Sequence, residues 1–154
     1  MTMYTDLDIS PITEHLYISA WLKGDHAEEI RSSDIRLILS MHWIKPSRKL
    51  QVDPVKLLWL PTIDNPLFPM PIWSLNRGVR AALPIIAEGN GVLVHCRAGR
   101  HRSVAMACCV LIGMGMRADD TMQLVKKQRT IADPDAWYIK SRIYKFERFW
   151  KSGD

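Results

Sequence analysis

The sequence predicts an α/β fold, a single domain built on a central, mainly parallel (mixed) β-sheet of about four or five strands flanked by helices. Three observations predict it. Four short runs rich in Leu, Ile and Val have the length of strands and are bounded by turn or polar residues. Segments with helical periodicity alternate with them and then follow without interruption to the end of the chain. No internal repeat, low-complexity tract or linker divides the 154 residues, a length that buries a proper core without disulfides or a structural metal. Residues 1–154 are therefore expected to form one domain, with its core between about residues 9 and 150.

In chain order, the first strand is expected at "HLYISAW" (His15–Trp21), followed by a short helix in "GDHAEEIRSSD". Strands follow at "RLILSMH" (Arg36–His42) and "KLLWLPT" (Lys56–Thr62). In "PIWSLNRGVRAALPIIAEG", Ile72, Leu75, Val79 and Leu83 recur at spacings of three and four, the mark of an amphipathic helix, and Gly89 supplies the stop. The strand "GVLVHC" (Gly91–Cys96) leads through a short loop into "SVAMACCVLIGMGM", a helix apolar on nearly every side and so expected to be buried. Asp119 or Asp120 is placed to cap a helix running to Arg129. Asp133 before Pro134 reads as an N-cap with proline at the first helical position, opening a last helix whose stripe is Ile139, Ile143, Phe146 and Trp150.

Composition narrows the function classes. With 47% hydrophobic and 24% charged residues and no apolar run of spanning length, the chain reads as neither disordered nor transmembrane. The start "MTMYTDLDIS" has neither the apolar stretch of a signal peptide nor the acid-poor character of a presequence. Three cysteines, two of them adjacent at Cys108 and Cys109, make no disulfide framework. A reducing, cytoplasmic location is expected. The net charge of +5 favours phosphorylated or polyanionic partners, and the absence of an aromatic-and-basic motif argues against nucleic acid. His15, His26 and His42 have no ligand spacing with other Cys, Asp or Glu residues, so no metal or other cofactor is expected.

The chemistry concentrates at "VLVHCRAGRHRS". An open α/β sheet binds ligands beyond the carboxyl ends of its strands, and Cys96 stands there, between a strand and the helix that follows. From Arg97 through Ala98, Gly99, Arg100 and His101 to Arg102 the chain can wrap backbone N–H groups round an anion, with Gly99 free to take a conformation that a Cβ would forbid. The helix N-terminus and the cations lower the thiol pKa, which makes Cys96 a nucleophile. Arg102 offers a planar fork to two phosphoryl oxygens, and the Ser103 hydroxyl can hydrogen-bond the sulfur as it leaves. Cys108 and Cys109, deep in the apolar helix, read as packing residues.

This Cys-x5-Arg loop, "HCRAGRHRS", resembles the signature of the cysteine-dependent protein tyrosine phosphatase superfamily, and the short chain resembles its dual-specificity branch. The resemblance implies phosphomonoester hydrolysis through a phosphocysteine intermediate, with Cys96, Arg102, Asp64 and Ser103 catalytic. Asp64, in "LPTIDNPLFP" 32 residues before Cys96, matches the family's general acid; Asp133 and Asp135 are reserves that read more readily as helix caps. His95 resembles the histidine that orders the loop. His101 departs from the family pattern, in which Gly or Ser is usual, while Arg97 and Arg100 resemble the lipid phosphatases that act on phosphoinositides or phosphatidylglycerophosphate. Phosphorylated protein is thus the first substrate class and phospholipid the alternative. RNA 5′-triphosphate ends or a non-catalytic phosphate-binding module rank lower. The apolar run "NPLFPMPIW" could make peripheral contact with a bilayer, although cleft wall and core is the preferred reading for it.

Overall fold

A computed structural model describes residues 6–153. The strands are β1 (Ile9–Thr13), β2 (Leu16–Ser19), β3 (Ile35–Ser40), β4 (Lys56–Trp59) and β5 (Gly91–His95). The helices are α1 (Ala27–Arg31), α2 (Ile72–Ala87), α3 (Arg102–Gly113), α4 (Ala118–Gln128) and α5 (Trp137–Lys151). The sheet has the order β1-β2-β5-β3-β4; β1 is antiparallel to β2 and every other pair is parallel. β5, inserted between strands that precede it in the chain, is central, and all five of its residues are buried. That is why "GVLVH" is a continuous apolar run and not an alternating one.

Side chains still alternate between the two faces of the sheet. Val92, Val94 and Cys96 join the larger core under α2, α3, α4 and α5, with Leu16, Ile18, Leu37 and Leu39. Leu93, Ile35 and Ile38 turn to the smaller cluster on the face carrying α1, with Leu22, Ile30 and Leu50. The parallel register aligns Ser19, His95, Ser40 and Trp59 in one row across the sheet, so Cys96 emerges one residue beyond the carboxyl edge. α3 is the central helix of its layer: all eleven residues from Arg102 to Ile112 are buried. Truncating a residue such as Leu111 to alanine there should cost about 2–5 kcal/mol.

The structure corrects four local readings. β1 is an additional strand; Pro11 inside "ISPIT" hid it, and a proline is tolerated because β1 lies at the sheet edge. α4 begins at Ala118, so Asp119 and Asp120 lie within its first turn and do not cap it; the Ala118 N–H donates instead to Glu147 Oε2 of α5 at 2.7 Å. α5 begins at Trp137, leaving Asp133 and Pro134 outside it. The run "NPLFPMPIW" is not core: Met70 alone is fully buried, whereas Leu67, Phe68 and Trp73 are 81%, 56% and 67% exposed. Its prolines at 66, 69 and 71 interrupt the backbone pairing that would draw the segment inward, and Trp73 falls on the outer side of the first turn of α2. Among the described residues no helix is long and apolar enough to cross a membrane.

Candidate active site

The turn from β5 into α3 folds residues 96–102 into a ring in which the five carbonyls from Arg97 to His101 are engaged outside it. Arg97 O accepts from Trp21 N (2.9 Å), Ala98 O and Gly99 O accept from the Arg129 guanidinium (2.9 and 2.8 Å), Arg100 O accepts from Asp133 N (3.0 Å) and His101 O from Ala105 N (2.9 Å). In a trans peptide the N–H points opposite to the C=O, so a loop with its carbonyls bound outward presents N–H groups inward. Gly99 has φ +68°, and a Cβ there would lie 2.6 Å from Arg129 Nη2 and 2.7 Å from Ser19 O. Only glycine fits both the conformation and the close approach.

Cys96 is 2% exposed, and its Sγ lies 3.2 Å from Ser103 Oγ. Burial alone would push the thiol up. The Ser103 hydroxyl and N–H, the Arg102 charge and the Gly99 N–H outweigh burial and hold it below the ordinary thiol value. Cys108, with no cation beside it, is pushed by burial up to about 12, and Cys109 rises for the same cause. The Arg102 guanidinium is 5% exposed and donates from Nη1 to Thr62 O at 2.9 Å; its Nε–H has no acceptor among the described residues. The fork is thus aimed by one bond and keeps donors for an anion.

Asp64 reaches the loop from the segment after β4. Tyr138 of α5 donates its hydroxyl to Asp64 Oδ1 (2.5 Å), and His101 Nδ1 lies 2.9 Å from Asp64 Oδ2. Burial raises the Asp64 pKa, but the Tyr138 and His101 hydrogen bonds and the charges of His101 and Arg102 prevail and hold it below the usual carboxylate value. The second ring nitrogen of His101, Nε2, faces Asp133 Oδ2 at 3.2 Å, and Arg100 Nη2 stands 3.7 Å from the same oxygen. Asp133, expected as a cap, is therefore a partner of the loop. Asp135 is engaged by Lys126 and Lys140.

The structure brings Cys96, Arg102, Ser103 and, through His101, Asp64 to one place, with Arg97, Ala98 and Arg100 exposed at the rim. His95 is the last residue of β5, directly before Cys96. Its ring is buried against Trp21 (centroids 5.5 Å apart), and neither ring nitrogen has a hydrogen-bond partner among the described residues. Burial drives its pKa down to about 3 against a weaker opposing pull from the Cys96 backbone. Three contributors escaped the sequence reading: Tyr138, Asp133 in its actual role, and Arg129. Arg129 is 2% exposed, and besides the two loop carbonyls it binds Asp8 through Nη1 and Nη2 (3.0 Å each) and Ser10 Oγ (2.9 Å). Arg129 closes the basic run "KKQR", and nothing local to that run marks its last residue as buried.

No protein-family model matches the chain. Dual specificity protein phosphatase 22 of Homo sapiens is 26% identical over 145 residues, which cover 91% of this chain and 74% of that protein. Human DUSP28 superposes with a TM-score of 0.81 at 22% identity, covering 93% of this chain and 95% of that one. PTPMT1 in complex with PI(5)P superposes with a TM-score of 0.83 at 20% identity, covering 94% and 97%. The fold and these relatives define a cysteine-dependent phosphatase. The chain is similar in sequence to dual specificity protein phosphatases and shares the fold of short phosphatases of that type.

Proposed function

We propose that residues 1–154 act as one catalytic domain, working in a reducing cytoplasm, that hydrolyses phosphate monoesters through a phosphocysteine intermediate, with phosphotyrosine and phosphoserine or phosphothreonine of proteins as its first substrates. The observation that carries this reading is the ring of outward-bound carbonyls around a buried thiol of lowered pKa. Cys96 Sγ attacks phosphorus in line, while the loop N–H groups and the Arg102 fork take the charge of the equatorial oxygens. Asp64 protonates the leaving oxygen and later takes a proton from the attacking water. Ser103, already on the sulfur, stabilises the thiolate as the P–S bond breaks.

Replacing Cys96 by serine should abolish turnover and preserve the fold and phosphate binding, because no base stands ready to activate a serine hydroxyl at this position. Acid-quenched wild-type enzyme should carry labelled phosphate on Cys96. Turnover by Cys96→Ser within tenfold of wild type would refute the covalent route.

A phospholipid headgroup is the second reading, and the rim favours it. Arg97 and Arg100 are exposed beside the cradle, and the loop that carries Asp64 continues into the exposed Leu67 and Phe68. Such a combination of cations and apolar side chains suits the surface of an anionic bilayer. Comparing phosphate release from phosphopeptides, phosphoinositides and phosphatidylglycerophosphate decides between the two.

A further inference from the structure

Both ring nitrogens of His101 face carboxylate oxygens, at 2.9 Å (Asp64) and 3.2 Å (Asp133). A carboxylate only accepts, and a neutral imidazole has one N–H to give. With two carboxylates and a neutral ring, one of these contacts would set a lone pair against a lone pair. Satisfying both contacts takes one further proton, and because Arg100 stands 3.7 Å from Asp133 Oδ2 and disfavours it there, it belongs on Nδ1 or on Asp64 Oδ2, two forms that differ by transfer along the 2.9 Å contact. The surroundings are otherwise committed. Tyr138 donates to the other oxygen of Asp64 and stands 3.4 Å from Nδ1, Arg100 flanks Asp133 at 3.7 Å, and the Arg102 charge acts on Asp64. His101 is 18% exposed, so the pair contacts are only partly open to water.

We infer that His101, anchored on Asp133, is the positioning residue that stores the leaving-group proton and relays it through Asp64 to the leaving oxygen. The inference rests on Asp64 being the acid of the proposed reaction. An aspartate that accepts a tyrosine hydroxyl and feels an arginine would by itself be an unprotonated carboxylate near neutrality. While the ring carries the proton it holds Asp64 as a carboxylate; once the proton has crossed to Oδ2, the neutral ring, donating Nε2–H to Asp133, accepts at Nδ1. The proton count closes over one turnover. In the first step the S–P bond forms, the ester P–O bond breaks, and its electron pair goes to the leaving oxygen, which takes the stored proton from Asp64. In the second, water oxygen bonds phosphorus, the P–S pair returns to Cys96, and the proton lost by water restores the cluster through Asp64.

The test is the pH dependence of kcat/KM on an alkyl phosphate, which needs a protonated leaving group, and on an aryl phosphate of an acidic phenol, which scarcely does. Wild type, His101→Gln, Asp133→Asn and Asp64→Asn are compared. His101→Gln keeps a polar side chain of similar reach without a titrating proton. It should move the alkaline limb of the alkyl-phosphate profile down by about one pH unit or more, Asp133→Asn should move it the same way by less, and in both variants the loss on the alkyl phosphate should exceed that on the aryl phosphate by about tenfold. An unmoved limb in both variants overturns the inference, and so does an equal loss on both substrates, which would mean that His101 only shapes the loop. If His101→Gln fails to fold, Asp133→Asn decides alone. If Asp64→Asn keeps the wild-type limb while labelled phosphocysteine still forms, the acid lies elsewhere; the inference then falls and the covalent route stands.

Discussion

His95 is the last residue of β5, directly before Cys96, and its ring is fully buried with no side-chain hydrogen-bond partner among the described residues. Its charged form is unavailable in the folded protein until the pH approaches about 3, whereas an unfolded chain protonates it near the ordinary value of 6.5. Between these two values the unfolded state binds more protons, so stability falls as the pH falls through that window. The full window corresponds to an upper limit of about 5 kcal/mol. Denaturant melts at pH 7 and pH 4 should show this loss in wild type and a clearly smaller one in His95→Asn; an unchanged acid slope in the variant would assign the acid sensitivity to other groups. At this scale the sequence was most readable where chemistry is contiguous. Cys96, Arg102 and Ser103 lie within eight residues and declare each other. Asp64 was reachable only through the family resemblance, and Tyr138 was not reachable, because it lies 74 positions from the carboxylate that it binds.

At the scale of elements, the strand and helix periodicities located all but one of the elements, and the errors fell at their ends. The caps expected at Asp119, Asp120 and Asp133 failed for one physical reason: tertiary partners satisfied the helix termini, or claimed the carboxylate, more effectively than local geometry could. Glu147 caps α4 from a different helix, and Asp133 is drawn to His101 and Arg100. The same principle holds the phosphate loop, whose shape depends on a residue at the end of α4. Arg129 ties Ala98 O and Gly99 O to Asp8 and Ser10 before β1 and within it. Arg129→Ala leaves those two carbonyls without a donor and should lower stability by roughly 2–4 kcal/mol. It should also weaken phosphate binding by about tenfold or more as the ring loosens. Arg129→Lys should recover little of either, since one ammonium cannot span the fork's contacts. Calorimetry and phosphate titration check both; phosphate binding preserved in a folded Arg129→Ala would show that the loop holds its own shape.

At the scale of the whole molecule, the net charge of +5 and the exposed rim arginines bear on which phosphate ester arrives, not on how it is cleaved. In the proposed reaction Arg102 and the loop N–H groups hold the reacting phosphoryl group from within the ring, whereas Arg97 and Arg100 lie exposed on its outside. Replacing both by alanine therefore separates recognition from chemistry. If the natural substrate carries further phosphates or lies on an anionic bilayer, the double variant should raise KM for phosphoinositide or phosphatidylglycerophosphate vesicles by about tenfold or more and leave p-nitrophenyl phosphate nearly unchanged. The added KM should shrink as salt rises, because exposed charges about a Debye length from their partners are screened. For a phosphoprotein substrate the losses on peptide and on p-nitrophenyl phosphate should both be modest and alike. Removing the apolar side chains of Leu67 and Phe68 supplies an independent axis: it should weaken hydrolysis of vesicle-bound lipid and spare a soluble inositol phosphate of the same headgroup, since only the former rewards burial of their exposed area. A uniform fall in kcat on every substrate in the arginine variant would instead make Arg97 and Arg100 supports of the loop, and the lipid reading would lose its cationic half.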